Sequence, residues 1–314
     1  LDIVVGSRGE NRLVFFENVG DLEFREDSIR INGARAAGFN LEYADLNRDG
    51  RLDIIAPAGP RGAGELVWLE QPERIDDAWN VHFIGTFAPD SMTGLEIADI
   101  NGDGRLDVMA GSYSRGPREG DGDVDVNDAL GRIGWFEHPD DVTGVWPRHD
   151  ISRRKRGMYD KFIARDMDGD GDSDLLFSDR KGDKRGVNWL ENPGGAEAAS
   201  PEKWTEHVIG GQSHEVMFLS VGDLNHDGAR DIVCPTRHGE ILLFEGNGNG
   251  WKIHSTPNPF GVPHGKAVAI GDIDKDGRNN LFHVTNTGRN RELPGATWMS
   301  QRPDKPWSSK WNVT

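Results

Sequence analysis

The chain has 314 residues, with 53 acidic against 36 basic side chains, a formal charge of −17, 41 glycines and one cysteine. That balance argues against nucleic acid as a target, lone Cys234 rules out an intrachain disulfide framework, and no apolar run approaches the ~18 residues of a membrane-spanning helix. The glycine-rich, helix-poor texture points instead to many short strands joined by turns.

In chain order, Leu1–Val5 reads as a strand, so any export signal is expected to have been removed already. A nine-residue pattern then recurs five times: DLNRDGRLD from Asp45, DINGDGRLD from Asp99, DMDGDGDSD from Asp166, DLNHDGARD from Asp223 and DIDKDGRNN from Asp272. Oxygen-bearing side chains fall at positions 1, 3, 5 and 9, with glycine at position 6. Such spacing suits a hard cation that takes six or more oxygen ligands, and the glycine permits the sharp turn. The candidate ligands are Asp45, Asn47, Asp49 and Asp53; Asp99, Asn101, Asp103 and Asp107; Asp166, Asp168, Asp170 and Asp174; Asp223, Asn225, Asp227 and Asp231; and Asp272, Asp274 and Asp276, with Asn280 standing where the closing Asp is expected. Calcium in these loops would neutralise much of the negative charge, so the acidity describes cation demand rather than a partner. An EF-hand is excluded, because position 12 is Ala56, Ala110, Phe177, Cys234 or His283 and none can supply a bidentate carboxylate.

The loops anchor a repeat of roughly 50 residues. Each unit reads as four strands. Strand A precedes the loop and strand B follows it. Strand C ends in Gln-Pro, His-Pro or Asn-Pro in several units, a stop for the ladder. Strand D opens on Trp and carries His three residues on, as in Trp79/His82, Trp146/His149, Trp204/His207 and Trp251/His254. A period of this length with several short strands predicts an all-β fold, a β-propeller of four-stranded blades. It forms a single domain with units near 1–37, 38–93, 94–160, 161–214, 215–265 and 266–314. The first unit lacks strand A and its loop. The expectation is that the native polypeptide supplies the missing strand and gives a ring of six or seven blades.

These residues resemble the FG-GAP/VCBS repeat family over essentially the whole chain: D-x-[DN]-x-D-G-x-x-D loops leading into strand B, and W-x-x-H outer strands. Asn280 and the loopless first unit depart from the pattern. The resemblance implies a calcium-loaded β-propeller. The family includes integrin α-subunit heads, adhesin-like proteins and secreted polysaccharide-active enzymes, and within it the chain is most similar to secreted propellers, some of which are lyases cleaving beside a uronic acid.

Five equivalent loops are scaffold before they are sensors, since a metal that binds only the native state stabilises it. The W-x-x-H histidines lie in different blades and cannot converge, so packing and strand-to-strand hydrogen bonds account for them. Function is expected at the opposite ends of the strands, where the repeats stop resembling one another. Those ends carry Tyr159, Lys161, Arg180, His214, Arg237, His238, His264 and Lys266, with Arg61 and Arg115, a cationic set on an acidic protein. Such a mouth would favour an anionic polysaccharide, with arginine matching a carboxylate. For β-elimination, Arg237 or Arg180 would clamp the C5 carboxylate, His214, His264 or His238 would take the C5 proton, and Tyr159 or a second His would protonate the leaving oxygen. Lys161, Lys266, Arg61 and Arg115 would hold the saccharide. The alternative is a propeller that only binds carbohydrate or protein. The insertion 116–128, with Asp121, Asp123 and Asp125, is a further cation site or a flap. Aspartate-rich loops of low affinity suit a secreted or periplasmic protein.

Overall fold

The computed structural model describes residues 2–7, 12–21, 23–32, 40–59, 64–88, 90–113, 131–154, 157–248, 250–286, 292–300 and 311–313. They fold into six successive sheets, a six-bladed all-β propeller. The first sheet holds β1 (Ile3–Ser7), β2 (Arg12–Gly20) and β3 (Glu23–Ser28). The second holds β4 (Ile31–Asn32), β5 (Glu42–Ala44), β6 (Asp53–Ala58), β7 (Glu65–Glu70) and β8 (Trp79–Thr86). The third holds β9 (Ser91–Ala98), β10 (Asp107–Tyr113), β11 (Gly131–Phe136) and β12 (Arg148–Arg154); the fourth holds β13 (Tyr159–Arg165), β14 (Asp174–Asp179), β15 (Gly186–Glu191) and β16 (Thr205–Gly210). The fifth holds β17 (Ser220–Gly222), β18 (Asp231–Pro235), β19 (Glu240–Gly246) and β20 (Trp251–Pro257), and the sixth β21 (Gly265–Gly271), β22 (Asn280–Thr285), β23 (Ala296–Ser300) and β24 (Asn312–Val313).

These residues group into two compact units, residues 1–175 with 190–205 and residues 176–189 with 206–314, the division running through the fourth sheet. In the first unit the opening sheet has the order β1-β2-β3, three-stranded among the described residues. The next has the order β4-β8-β7-β6-β5, with β4 joining β8 in parallel, Ile31 opposite Trp79. In the second unit β17 to β20 and β21 to β24 are antiparallel meanders.

Strand B is buried along its whole length in β6, DIIAPA, because both faces are covered. Apolar residues therefore need not alternate with polar ones there. Within the first unit, Leu13, Ile54, Ala56, Val67, Leu69 and Trp79 form one buried cluster, and Leu66, Trp68, Leu95, Val108 and Phe136 belong to a second. Leu224, Val233, Leu243, Leu281 and Met299 anchor a cluster in the second unit. Strand A is shorter than the sequence suggests in the fifth sheet, where 215–224 reads as one strand and β17 covers only Ser220–Gly222. Pro235 has no N–H to donate and interrupts the ladder, and an isolated bridge between Val216 and Thr236 carries the chain past it.

The outer-strand histidines behave as structural groups. Trp68 and His82 lie opposite each other on neighbouring strands, and their rings stack at 4.2 Å. Nε2 of His82 lies 2.9 Å from the Glu70 carboxylate. Trp135 and His149 repeat the pair, with Glu137 at 3.0 Å, as do Trp189 and His207. In the fifth sheet Leu243 replaces the Trp, and His254 keeps its contact with Glu245 at 2.8 Å.

The residue before the proline at the end of strand C does more than stop the ladder. His138 Nε2 donates to the Leu46 carbonyl at 3.1 Å, and Asn192 Nδ2 donates to the Ile100 carbonyl at 2.8 Å. Leu46 and Ile100 are position 2 of the preceding unit's acidic loop. Each of these two loops is therefore closed by a side chain from the following repeat.

Candidate functional site

The acidic loops share one plan, with local departures at Asp166 and Asn280. The position 1 carboxylate accepts N–H groups from further round the turn, as when Asp49 and Gly50 donate to Asp45, both at 2.9 Å. Position 5 caps the amide two residues on, Arg51 on Asp49 and Arg105 on Asp103. Glycine at position 6 holds φ between 84° and 98° in all five copies, where a side chain would be strained. Four position 9 aspartates are fully buried: Asp53, Asp107, Asp174 and Asp231. One oxygen of each accepts the position 2 amide and the other accepts an amide at or just beyond the end of strand C. For Asp107 these donors are Ile100 and His138, both at 2.9 Å. Burial pushes Asp107 up to about 7 and Asp53 and Asp174 up to about 6, against the opposing pull of these amides.

The donor chemistry fits a hard divalent cation. Carboxylate oxygens of Asp166, Asp168 and Asp174 lie within 4.8 Å of one another, as do those of Asp272, Asp274 and Asp276. The set is all oxygen, which suits calcium or magnesium rather than a thiolate-seeking metal. The loops with Asn at position 3 offer one carboxylate fewer. In the last loop Asn280 Nδ2 points at Asp274 Oδ1, 3.3 Å away, so that loop departs from the others.

At the other end of the strands, the second unit gathers most of the expected recognition residues. Lys181 bonds one oxygen of Glu215, while Arg237 and Arg180 approach the other at 3.5 and 3.7 Å. These cations hold the Glu215 carboxyl below its usual range despite partial burial. The Glu215 amide donates to His238 Nδ1 at 3.3 Å, and its carbonyl accepts the Arg237 amide at 3.0 Å. The rings of His214 and His238 are 5.6 Å apart. His214 also touches Ser213 at 2.9 Å and lies 3.6 Å from Glu240. His264 Nδ1 faces the Arg237 carbonyl at 3.0 Å. Lys266 lies over the Phe218 ring at 4.4 Å.

In the first unit, the two described residues of the remaining set are engaged within the protein. Tyr159 is fully buried, and its hydroxyl donates to the Gly131 carbonyl at 3.1 Å. The exposed proton donor expected there is corrected to a core tyrosine packed against Phe162. Arg61, Arg115 and the 116–128 insertion lie outside the described residues.

Lys161 is ion-paired to Glu42 at 3.5 Å and to Glu96 at 4.0 Å. Sequence reasoning missed these two carboxylates, although the shared L-E-x-A-D stretch before the loops at Asp45 and Asp99 marks both. Burial pushes Glu96 up to about 7, the neighbouring Glu42 charge adds to the rise, and Lys161 opposes it. Protonation therefore favours the fold. The wild-type protein loses this contribution as pH rises from about 4.5 through about 7. Glu96→Gln should raise stability by up to ~3 kcal/mol at about pH 8 and change little near pH 4, judged by denaturant midpoints. Equal effects at both pH values would refute the assignment.

A model of FG-GAP-like repeats matches residues 1–56, 166–234 and 223–283, more than half of the chain. Cartilage acidic protein 1 of Xenopus tropicalis is 24% identical over 281 residues, covering 81% of this chain and 41% of that protein. Its Homo sapiens counterpart is 22% identical over 279 residues, with coverage of 81% and 40%. The chain thus spans about two fifths of the length of these curated relatives. The crystal structure of the V. cholerae biofilm matrix protein Bap1 is similar over 86% of this chain and 37% of its own, at 18% identity and a TM-score of 0.47. Among the described residues, no helix is long and apolar enough to cross a membrane.

Proposed function

Because the chain belongs to the FG-GAP-like repeat family, we propose that it is an extracellular, calcium-stabilised propeller that recognises an anionic, uronate-containing saccharide. Binding takes place at the cationic end of the second unit. The observation that carries this reading is the convergence of Arg180, Lys181 and Arg237 on one carboxylate, beside three histidines. Three cations around one carboxylate are the chemistry a ligand carboxylate would meet. Calcium, held by the side-chain oxygens at positions 1, 3, 5 and 9, ties the start of strand B to the end of strand A. Its supply outside cells suits such loops, and the curated relatives are named for cartilage.

Recognition is placed ahead of turnover because Tyr159, one of the two expected acids, is buried, which leaves that role to a second histidine alone. A lyase remains the second reading, on one observation. His264 Nδ1 faces a carbonyl and must carry the proton, which leaves Nε2 as a base; His238 Nδ1 accepts an amide, which places the proton of the neutral ring on Nε2. The two rings thus hold complementary tautomers.

Calorimetric titration with short galacturonate and hyaluronate oligosaccharides in calcium tests the binding. The expected result is measurable affinity that weakens with salt and falls about tenfold or more in Arg237→Ala. Absence of binding to either saccharide would overturn the reading. Growth of the ultraviolet absorbance of an unsaturated uronate would move the assignment from binding to elimination.

A further inference from the structure

We propose that Glu215 is an internal stand-in for the ligand carboxylate, lodged in the clamp formed by Lys181, Arg180 and Arg237, and that an acidic saccharide engages this end by displacing it. The inference rests on the recognition reading above. Glu215 is pinned at its backbone, because its amide and its carbonyl are both bonded to the hairpin that carries Arg237 and His238. Its side chain reaches into the cations without satisfying them evenly. Oε1 is bonded to Lys181. Oε2 is closed to solvent and accepts no hydrogen bond, although two guanidinium groups stand 3.5 and 3.7 Å away. A buried oxygen held at ion-pair distance, without a hydrogen bond, is a poor use of an arginine fork, which matches a freely oriented carboxylate better. Arg237 is also 41% exposed and accessible from outside.

The chemistry sets a selectivity rule. With Glu215 in place, a ligand must both replace one carboxylate and compete with its charge. A weakly matched anion meets repulsion from Glu215, while a planar carboxylate on a saccharide takes over the forks. Glu215 thereby keeps an otherwise strongly cationic patch from collecting anions indiscriminately.

The test compares wild type with Glu215→Gln, which keeps the shape and one acceptor oxygen, turns the other into an N–H donor and removes the charge. The probe is a galacturonate oligosaccharide, titrated in calcium at fixed salt, with thermal midpoints confirming that both proteins are folded. The expected result is a gain in affinity of about tenfold or more in Glu215→Gln, with a steeper salt dependence. That gain should be lost again in the double variant with Arg237→Ala. Wild-type binding that is equal or weaker in Glu215→Gln overturns it and leaves the recognition reading intact. Silence from both proteins overturns the two together.

Discussion

Chelation of divalent cations is expected to lower the thermal midpoint by more than ~10 °C, with recovery on adding calcium back. A site held about 100-fold above its dissociation constant contributes ~2.7 kcal/mol to the native state. Several such loops, on a chain that gains roughly 2 °C per kcal/mol, exceed that threshold together. The effect should be unequal among the loops. The loop at Asp166 offers four carboxylates, three of them already drawn together, and should hold calcium longest as chelator is added. Loops with Asn47, Asn101 or Asn225 at position 3, or with Asn280 at position 9, offer three and should empty first. Differential scanning calorimetry across a chelator series reads both statements, and a midpoint indifferent to chelation would sink them.

The second large effect concerns Asp107. Its two oxygens accept the amides of Ile100 and His138, and it is fully buried. Asp107→Ala strands two buried N–H groups and should cost roughly 3–5 kcal/mol. Unlike the loss of the half-buried Asp99, whose hydrogen bonds are open to solvent, much of that cost should persist in chelator, because the amides lose their acceptor with or without a cation. Asp99→Ala should destabilise in calcium and be near neutral without it, since water can reach the amides it leaves. Denaturant midpoints of both variants, in calcium and in chelator, check the contrast. If Asp107→Ala were silent in chelator, position 9 would be a ligand only and not a structural tie.

The loops were legible in the sequence because their ligands and turns are local. Spacing at 1, 3, 5, 6 and 9 is a property of nine residues, and the positive φ at Gly50 or Gly104 follows from it. The position 9 tie was not legible, because the amide opposite Asp107 belongs to His138, 31 residues on. The same distance explains Tyr159. Its place at the start of strand A follows from the repeat. Its burial depends on Phe162 and on the absence of a Cβ at Gly111, which would come within 2.9 Å of the ring. Glu215 was visible as one acid among cations. That Lys181, 34 residues earlier, bonds it while Arg237 meets its other oxygen is a tertiary fact with no pattern in the chain. Glu42 and Glu96 show the opposite case. The L-E-x-A-D stretch was plain to see, and only the side chain of Lys161 between them gives it meaning.

The side chains that close a neighbouring repeat's loop have a consequence for synthesis. Leu46 waits for His138 and Ile100 waits for Asn192, each 92 residues later. On a ribosome adding about 5–20 residues per second, a loop that has emerged spends roughly 5–20 s without its final hydrogen bond. During that interval its ligand side chains, which fall within nine residues, are already present. A nascent chain in calcium can therefore load these two loops before the blade that seals each of them exists. The order of assembly then runs from the N-terminus, one repeat behind translation.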